Sequence, residues 1–371
     1  MKRDIYYLAN TKPNPKEGGI AYKIYKQLQI FNQNGLSTHF LYISNKKNLF
    51  KKVLASSPLG SYKLGLDKLD NIKRCPNIYI RYFFSDYTLV RKLKKIKQKF
   101  PESKIVIEIP TFPYDGENML LKTRPPYWQD IMWRKYLYKY VDRVVTFSDD
   151  DSIFNIPAIN ISNGVDTSKI HKRTPHSQNN DVINMLAVAK FGFWHGYDRM
   201  IEGLHHYYNE KGGKRKVVFY IVGYGDERVE SQYREMIKKY NLENKVKLVG
   251  KKEGKELDYY YNLCDIAIDS MGRHRSKVYY NSSLKGKEYL AKGLPIVSGV
   301  RTELDSISNF KYYFRVPAND TPVNIEQLIS FFDSTYKNQD KARIVANIRT
   351  FCVNNFDINK CFEKVVNWYV N

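Results

Sequence analysis

A chain of 371 residues is too long for one comfortable core, and two domains of roughly 150–200 residues each are expected. Apolar residues make up 43% of it with charged ones interspersed, which excludes a disordered chain, and the lack of any apolar run of about 18 residues excludes a membrane-spanning helix. The formal net charge of +23 points to an anionic partner (phospholipid, nucleic acid or a phosphorylated substrate), with the lysine usage of an AT-rich genome as the alternative source of the excess.

The N-terminal segment MKRDIYYLAN holds an apolar run too short for a signal-peptide core and reads as a first strand at residues 4–9. The protein is therefore expected to stay in the cytosol. Ile20–Asn34 reads as a helix, with Ile24, Leu28 and Phe31 at three- and four-residue spacing. THFLYIS (38–44), NIYIRY (77–82), KIVIEI (104–109) and DRVVTFS (142–148) are short β-branched or aromatic runs and read as further strands. Leu89–Phe100 is a basic amphipathic helix whose apolar side carries Leu89, Leu93, Ile96 and Phe100. It reads either as a crossover helix with a solvated face or as a surface for an anionic leaflet. The stretch 123–140 adds Trp128, Trp133 and several tyrosines among Lys and Arg, the mixture found at headgroup level.

Polar chain without apolar periodicity runs from Ser168 to Asp181 and is taken as a linker. This sets a first domain at 1–170 and a second at 171–356. In the second half NMLAVA (184–189), VVFYIVG (217–223), KVKLVG (245–250), DIAID (265–269) and PIVSG (295–299) repeat the strand–helix alternation. Strands joined by crossover helices pair in parallel, so both halves are expected to be doubly wound α/β. Ligands of such sheets bind at the carboxyl ends of the strands. A last amphipathic segment, 357–371, carries Ile358, Cys361, Phe362, Val365 and Tyr369 on one face. Cys75, Cys264, Cys352 and Cys361 form no CxxC pair and lie near no suitably spaced histidine, so neither a disulfide framework nor a metal site is expected.

In the second half GFWHGYDRMIEGL, IVGYGDE, LVGKK, LCDIAIDS and SSLKGKEYLAKGLPIVSG follow one another in order. The EGG loop (17–19), IEIPTFPYDGE (107–117), VTFSDDD (145–151) and ISNGVD (161–166) precede them. The ordered set resembles family 4 glycosyltransferases, in particular bacterial capsule and exopolysaccharide members. The resemblance implies the GT-B fold: two Rossmann-like domains facing across a cleft, with a nucleoside-diphosphate sugar on the second. It also implies retention of anomeric configuration, catalysis without metal or cofactor, and a final helix that packs back on the first domain.

The resemblance also assigns roles to individual residues. Ser283, Leu284 and Lys285 open a helix, and the unpaired amides of a helix start make an anion site for the donor diphosphate; an ordinary N-cap is compatible with this. Glu288 falls in the early turn of that helix; its carboxylate would accept from the ribose hydroxyls, or else merely complement the helix dipole. Lys190 and His195 stand where the family has an arginine and a lysine against the leaving diphosphate, and the histidine must be protonated or donate a neutral hydrogen bond. Gly18 and Gly19, between a strand and a helix, would bring backbone close to the same phosphates. The family pairs its second glutamate with an earlier one, and here Tyr280 occupies that place. Asp269, or the cluster Arg273, His274 and Arg275, would shape the sugar pocket instead, unless that cluster is a solvated basic loop. Family members often carry a histidine–aspartate pair on the first domain. This chain offers only Tyr114, Asp115 and Glu117, with Asp115 either orienting an acceptor hydroxyl or closing an Asx-turn.

The expected function is transfer of a sugar from a nucleoside diphosphate, with uridine as the base, to a saccharide acceptor that is lipid-linked, in bacterial surface polysaccharide assembly. The alternative is a catalytically silent GT-B subunit that binds glycan or a sister transferase. The partners implied are a nucleotide-sugar, the acceptor and an anionic membrane surface at its inner face. Nucleic acid is suggested by charge alone, without a motif.

Overall fold

Strands rich in β-branched and aromatic residues, separated by amphipathic stretches, pair in parallel because each crossover returns the chain to the same sheet edge. The structure, a computed structural model, describes residues 3–16, 19–45, 57–116, 125–175 and 181–371. It divides into two compact units, Met1–Ile161 with Asn359–Asn371, and Ser162–Ile358. The division falls ahead of the polar stretch from Ser168 because Val165 and Thr167 already belong to the second unit. The Val165 amide donates to the Phe356 carbonyl at 3.0 Å, the Ile358 amide to the Val165 carbonyl at 2.9 Å, and the Thr167 hydroxyl to Asp357 at 2.5 Å. Residues 176–180 of the expected linker, together with Gly18 and Glu117, lie outside the described residues.

The first unit runs β1 (Arg3–Ala9), α1 (Gly19–Gln33), β2 (Leu36–Tyr42), the short pair β3 (Ser44–Asn45) and β4 (Lys63–Leu64), β5 (Asn77–Arg81), α2 (Tyr87–Lys99), β6 (Ile105–Ile109), α3 (Pro125–Arg134), β7 (Arg143–Thr146), β8 (Ser152–Ile153) and β9 (Ile156–Asn160). Its sheet has the order β2-β1-β5-β6-β7-β9-β8, parallel except for the β8–β9 hairpin. That hairpin was not legible in the sequence. Its two turn residues, Phe154 and Asn155, have φ of 54° and 61°, the left-handed pair that closes a two-residue turn, without the glycine that normally marks it.

The second unit runs β10 (Val182–Phe191), α4 (Asp198–His205), β11 (Lys216–Gly225), α5 (Glu227–Lys239), β12 (Val246–Gly250), α6 (Gly254–Leu263), β13 (Ile266–Ile268), α7 (Leu284–Lys292), β14 (Ile296–Ser298), β15 (Tyr313–Arg315), α8 (Ile325–Tyr336) and α9 (Lys341–Phe356). The sheet order is β12-β11-β10-β13-β14-β15, all parallel. Both units are therefore Rossmann-like α/β domains.

The last helix, α10 (Ile358–Val370), packs on the first unit. Phe362 and Tyr369 meet Phe31 of α1 edge-on at 5.1 and 5.7 Å between ring centroids, and the Tyr369 hydroxyl donates to the Ile78 carbonyl at 2.6 Å. Helix-end carbonyls need partners. Arg3 supplies one to Tyr369 and Val370 at 3.0 and 3.1 Å, and Lys104 one to Trp368 at 2.9 Å.

Strands β5 and β6 are buried at every position, yet they carry Arg81 and Glu108. Glu108 is fully buried and ion-paired with Arg81, and it accepts from Gln27 of α1 at 2.6 Å and Tyr79 at 2.5 Å. Burial alone would raise its carboxyl, but Lys23 and Arg81 outweigh that and hold it below the ordinary value. The network pins α1 to the sheet. Removing one partner strands the other charges in low dielectric, so Glu108→Ala is expected to destabilise the first unit by about 3–5 kcal/mol, as read from its urea transition.

Candidate functional site

In the second unit the carboxyl ends of β10 and β11 approach so closely that two glycines are required. A Cβ on Gly223, whose φ is +143°, would sit 1.8 Å from the Ala189 carbonyl oxygen. The tyrosine between Gly223 and Gly225 is thereby turned outward, and Tyr224 is 48% exposed. Lys190 lies over its ring at 5.9 Å and Lys251 at 5.7 Å from the centroid. Lys190 is thus exposed at the strand end, beside an aromatic face that the sequence reading did not single out. A tyrosine bracketed by glycines at a strand's carboxyl end was the available signal.

After β10 the chain makes a single tight turn, Phe193–His195, and reverses at Gly196 with φ of 62°. A side chain there would meet the Gly272 amide nitrogen at 2.5 Å, so two backbones touch. The Met271 amide donates to the His195 carbonyl at 2.7 Å and locks the contact. His195 is buried, and its Nδ1 lies 3.0 Å from the Gly192 amide and 3.2 Å from the Gly192 carbonyl, accepting from the first or donating to the second according to its tautomer. Burial, then Lys285 and Arg273, push its pKa well below the usual 6.5. Of the two forms the sequence allowed, burial and these cations favour the neutral ring.

Helix α7 starts at an N-cap made by Ser283, not Ser282. Ser283 Oγ accepts from the Gly286 amide at 3.2 Å and donates to Asp269 at 3.1 Å. Ser282 is engaged elsewhere, donating to Glu303 at 2.6 Å. Among the described residues the Leu284 and Lys285 amides, which precede the capped one, make no hydrogen bond. The Lys285 ammonium reaches Ser270 Oγ at 3.2 Å and Asp269 at 3.4 Å. Burial lowers its pKa, with Arg273 adding to the effect and Asp269 opposing it. Two free amides, a lysine, the neutral His195 and the half-buried Arg273, whose guanidinium stacks over Trp194 at 5.8 Å, thus form one electropositive locus. Such a locus suits an anion with several oxygens.

The cluster Arg273, His274 and Arg275 divides. Only Arg273 joins that locus. Arg275 makes a two-pronged pair with Asp198 at 2.9 and 2.6 Å and donates to Asp320 at 2.7 Å, and His274 also meets Asp320, at 3.1 Å. These two tie loops together. In the first unit Tyr114 donates to the buried Asp130, and Asp115 is held by Arg134 at 2.8 Å and by the Tyr127 hydroxyl at 2.8 Å. Both belong to a network around Asp130 and Arg134. Gly19, with φ of 66°, is the first residue of α1.

Glu288, expected in the helix's early turn, sits in the second turn of α7, just past the first. No acidic residue stands in that first turn, so a dipole-complementing role does not apply. Among the described residues its carboxyl makes no hydrogen bond. Burial pushes it up to about 7 against the pull of Lys285 and Lys292. Tyr280, at the place of the family's earlier glutamate, is bridged to Arg301, whose guanidinium lies 5.5 Å from its ring. The carboxylate that faces the helix start is instead Asp269, 1% exposed.

Residues 168–302 match the family model described as glycosyl transferases group 1, a span that contains every second-unit residue of this locus. Solved structures resemble the chain over its whole length. A glycosyltransferase from Rickettsia africae aligns with TM-score 0.60 at 17% identity, over 99% of this chain and 98% of that one. Anabaena HepE in complex with UDP-glucose aligns with 0.62 at 14% identity over 99% of each chain. Sucrose-phosphate synthase from Thermosynechococcus elongatus aligns with 0.66 at 14% identity, over 99% and 98%. None of the curated protein sequences matches. At these identities the likeness establishes the fold, which is GT-B, and the match to the family model lies within the second unit.

The electrostatics of the locus are directly measurable. Because burial and two cations oppose its charging, the His195 ring is expected to be neutral at neutral pH. Lys285→Ala and Arg273→Ala should each raise its pKa, and nitrogen-15 NMR of the imidazoles would record both effects.

Proposed function

We propose that the protein is a glycosyltransferase that binds a nucleoside-diphosphate sugar, with uridine as the base, on its second unit. The observation that carries this reading is the pair of amides at the start of α7 that are unpartnered among the described residues, surrounded by Lys285, Arg273 and the His195 ring. The donor diphosphate would lie against these groups, with Ser283 capping the helix beneath it. Lys190 would add a further cation at the end of β10. Charge grows on the departing phosphate as the sugar leaves, so donors fixed in advance lower the barrier more than they tighten ground-state binding. Glu288 would accept from the ribose hydroxyls one turn further on.

The acceptor is a saccharide, lipid-linked, and the setting is bacterial surface polysaccharide assembly. Transfer proceeds with retention, the leaving phosphate taking the acceptor's proton. Proton NMR of the anomeric position in the first product would test that course. Tyr280 in place of a glutamate favours a second reading, a silent subunit that keeps the nucleotide site. Slow hydrolysis of a nucleotide-sugar by the purified protein would exclude it.

Two measurements test the donor reading. UDP at millimolar concentration should raise the melting temperature of the wild type, since a ligand stabilises only the folded state, and Lys285→Ala should weaken binding about 10–100-fold, the worth of a hydrogen bond to a charged group. No protection by UDP, GDP or ADP would refute the assignment. The ribose contact needs the carboxylate form of Glu288. With its pKa raised to about 7, UDP affinity should be full above that pH and decline as pH falls through it. Glu288→Gln should flatten the profile in calorimetric titrations between about pH 5.5 and 8.5.

A further inference from the structure

The parallel sheet of the second unit extends in two directions from β10, with β11 and β12 on one side and β13, β14 and β15 on the other. The crevice between β10 and β13 is therefore its switch point, where ligands of such sheets lie. Helix α7 meets β10 there, because the Tyr289 hydroxyl accepts from the Val188 amide at 2.8 Å. The second turn of α7, which holds Glu288, thus lies against β10 two residues short of Lys190. Lys190 and Tyr224 are register partners on β10 and β11. A strand rises about 3.3 Å per residue and its neighbour stands about 4.8 Å away, so the Tyr224 backbone lies roughly 8 Å from that contact. A tyrosine side chain and a base stacked on it span such a distance. Open amides, Glu288 and the Tyr224 ring follow one another as diphosphate, ribose and base do in a nucleotide.

Tyr224 has the properties of a stacking platform. Among the described residues its hydroxyl makes no hydrogen bond and its ring meets no other aromatic ring, and it is exposed. Its direction is set by the backbone. Cβ atoms on Gly223 and Gly225 would stand 1.8 and 2.4 Å from backbone atoms of β10, so both neighbours are pressed on that strand and the tyrosine projects away. A large ring left in water gains free energy only when a flat apolar surface covers it. The ammoniums of Lys190 and Lys251 border it at 5.9 and 5.7 Å. Both distances are near the outer limit of about 6 Å for a cation–π contact, so a flexible lysine stem leaves at little cost. Lys190 makes no ion pair among the described residues, and turning it to the diphosphate uncovers the ring. Lys251 is held by Glu253 at 2.7 Å.

We infer that Tyr224 is the platform on which the nucleobase of the donor stacks. The inference rests on the donor reading and extends it from phosphate and ribose to the base. Every base has a π-face, so the platform adds affinity for any nucleoside diphosphate without choosing among bases. The choice of uridine then falls to groups at the base edge.

The test is calorimetric titration of the full chain with UDP, GDP, ADP and inorganic pyrophosphate, which lacks a base. Tyr224→Ala should weaken all three nucleotides by about 5–150-fold, the range found for loss of one base–aromatic stack. Its affinity for pyrophosphate should equal that of the wild type, and so should its thermal transition without ligand, since the side chain is exposed. Tyr224→Phe, which keeps the ring and drops the hydroxyl, should bind UDP as the wild type does. In proton NMR the uracil H5 and H6 signals of bound UDP should move upfield in the wild type and in Tyr224→Phe, and not in Tyr224→Ala. Equal UDP affinity in wild type and Tyr224→Ala would overturn the platform while leaving the donor reading intact. Equal losses for UDP and pyrophosphate, or for the Phe and Ala variants, would overturn it too. Absence of nucleotide binding by the wild type would remove both readings.

Discussion

A helix that keeps its first two amides open must be anchored by something other than its own cap. In the second unit that anchor is the buried ion pair between Lys287 and Glu303, 2.9 Å apart. Lys287 is 2% exposed and lies over the Phe356 ring at 4.5 Å, so α7 is fixed at once to the turn after β14 and to α9. Glu303 also accepts from Ser282, which draws Ser282 away from the helix start and leaves Ser283 to form the cap. Burial alone would raise the Glu303 carboxyl, but Lys287 and the hydrogen bonds hold it below the ordinary value. The Glu303 carboxylate therefore stays charged at neutral pH, and the open amides keep their position before any ligand arrives. Such preorganisation is the physical requirement for stabilising charge that appears only during reaction.

The three lysines of KGKEYLAKG illustrate how one motif divides its work. Lys285 turns to Asp269 and the open amides, Lys287 turns inward to Glu303, and Lys292 pairs with Asp258. Helical spacing separates their directions by about 100° per residue, so neighbouring lysines of equal charge acquire unrelated roles. The same division operates in Arg273, His274 and Arg275, where a single tight turn sends one cation to the helix start and two to Asp198 and Asp320.

The two units solve the burial of charge differently. The first encloses a carboxylate among two cations, two tyrosines and a glutamine, and every group there has a partner. It is a device for holding α1 to the sheet. The second leaves polar groups at the strand ends without partners among the described residues: the Leu284 and Lys285 amides and the Glu288 carboxyl, which burial has brought to about 7. Unfinished hydrogen bonding at the carboxyl end of a parallel sheet is the mark of a site for a ligand.

Much of the architecture was legible from residue order alone. Ten strands and the amphipathic last helix follow from apolar periodicity, because a parallel strand buried on both faces must be nearly continuous in β-branched and aromatic residues. The positions of Lys190, His195, Ser283, Lys285 and Glu288 were likewise set by local motifs. What tertiary structure decided was direction and charge. A sequence holds His195 and Arg275 as equal candidates; only the packed molecule shows one buried among cations near the open amides and the other consumed by two aspartates. Ion pairs such as Lys287–Glu303 and Arg275–Asp320 join residues distant in sequence, and a pKa depends on the burial and neighbours that folding creates. Periodicity is a local property and can be read along the chain. Electrostatic environment is a property of the assembled core and cannot.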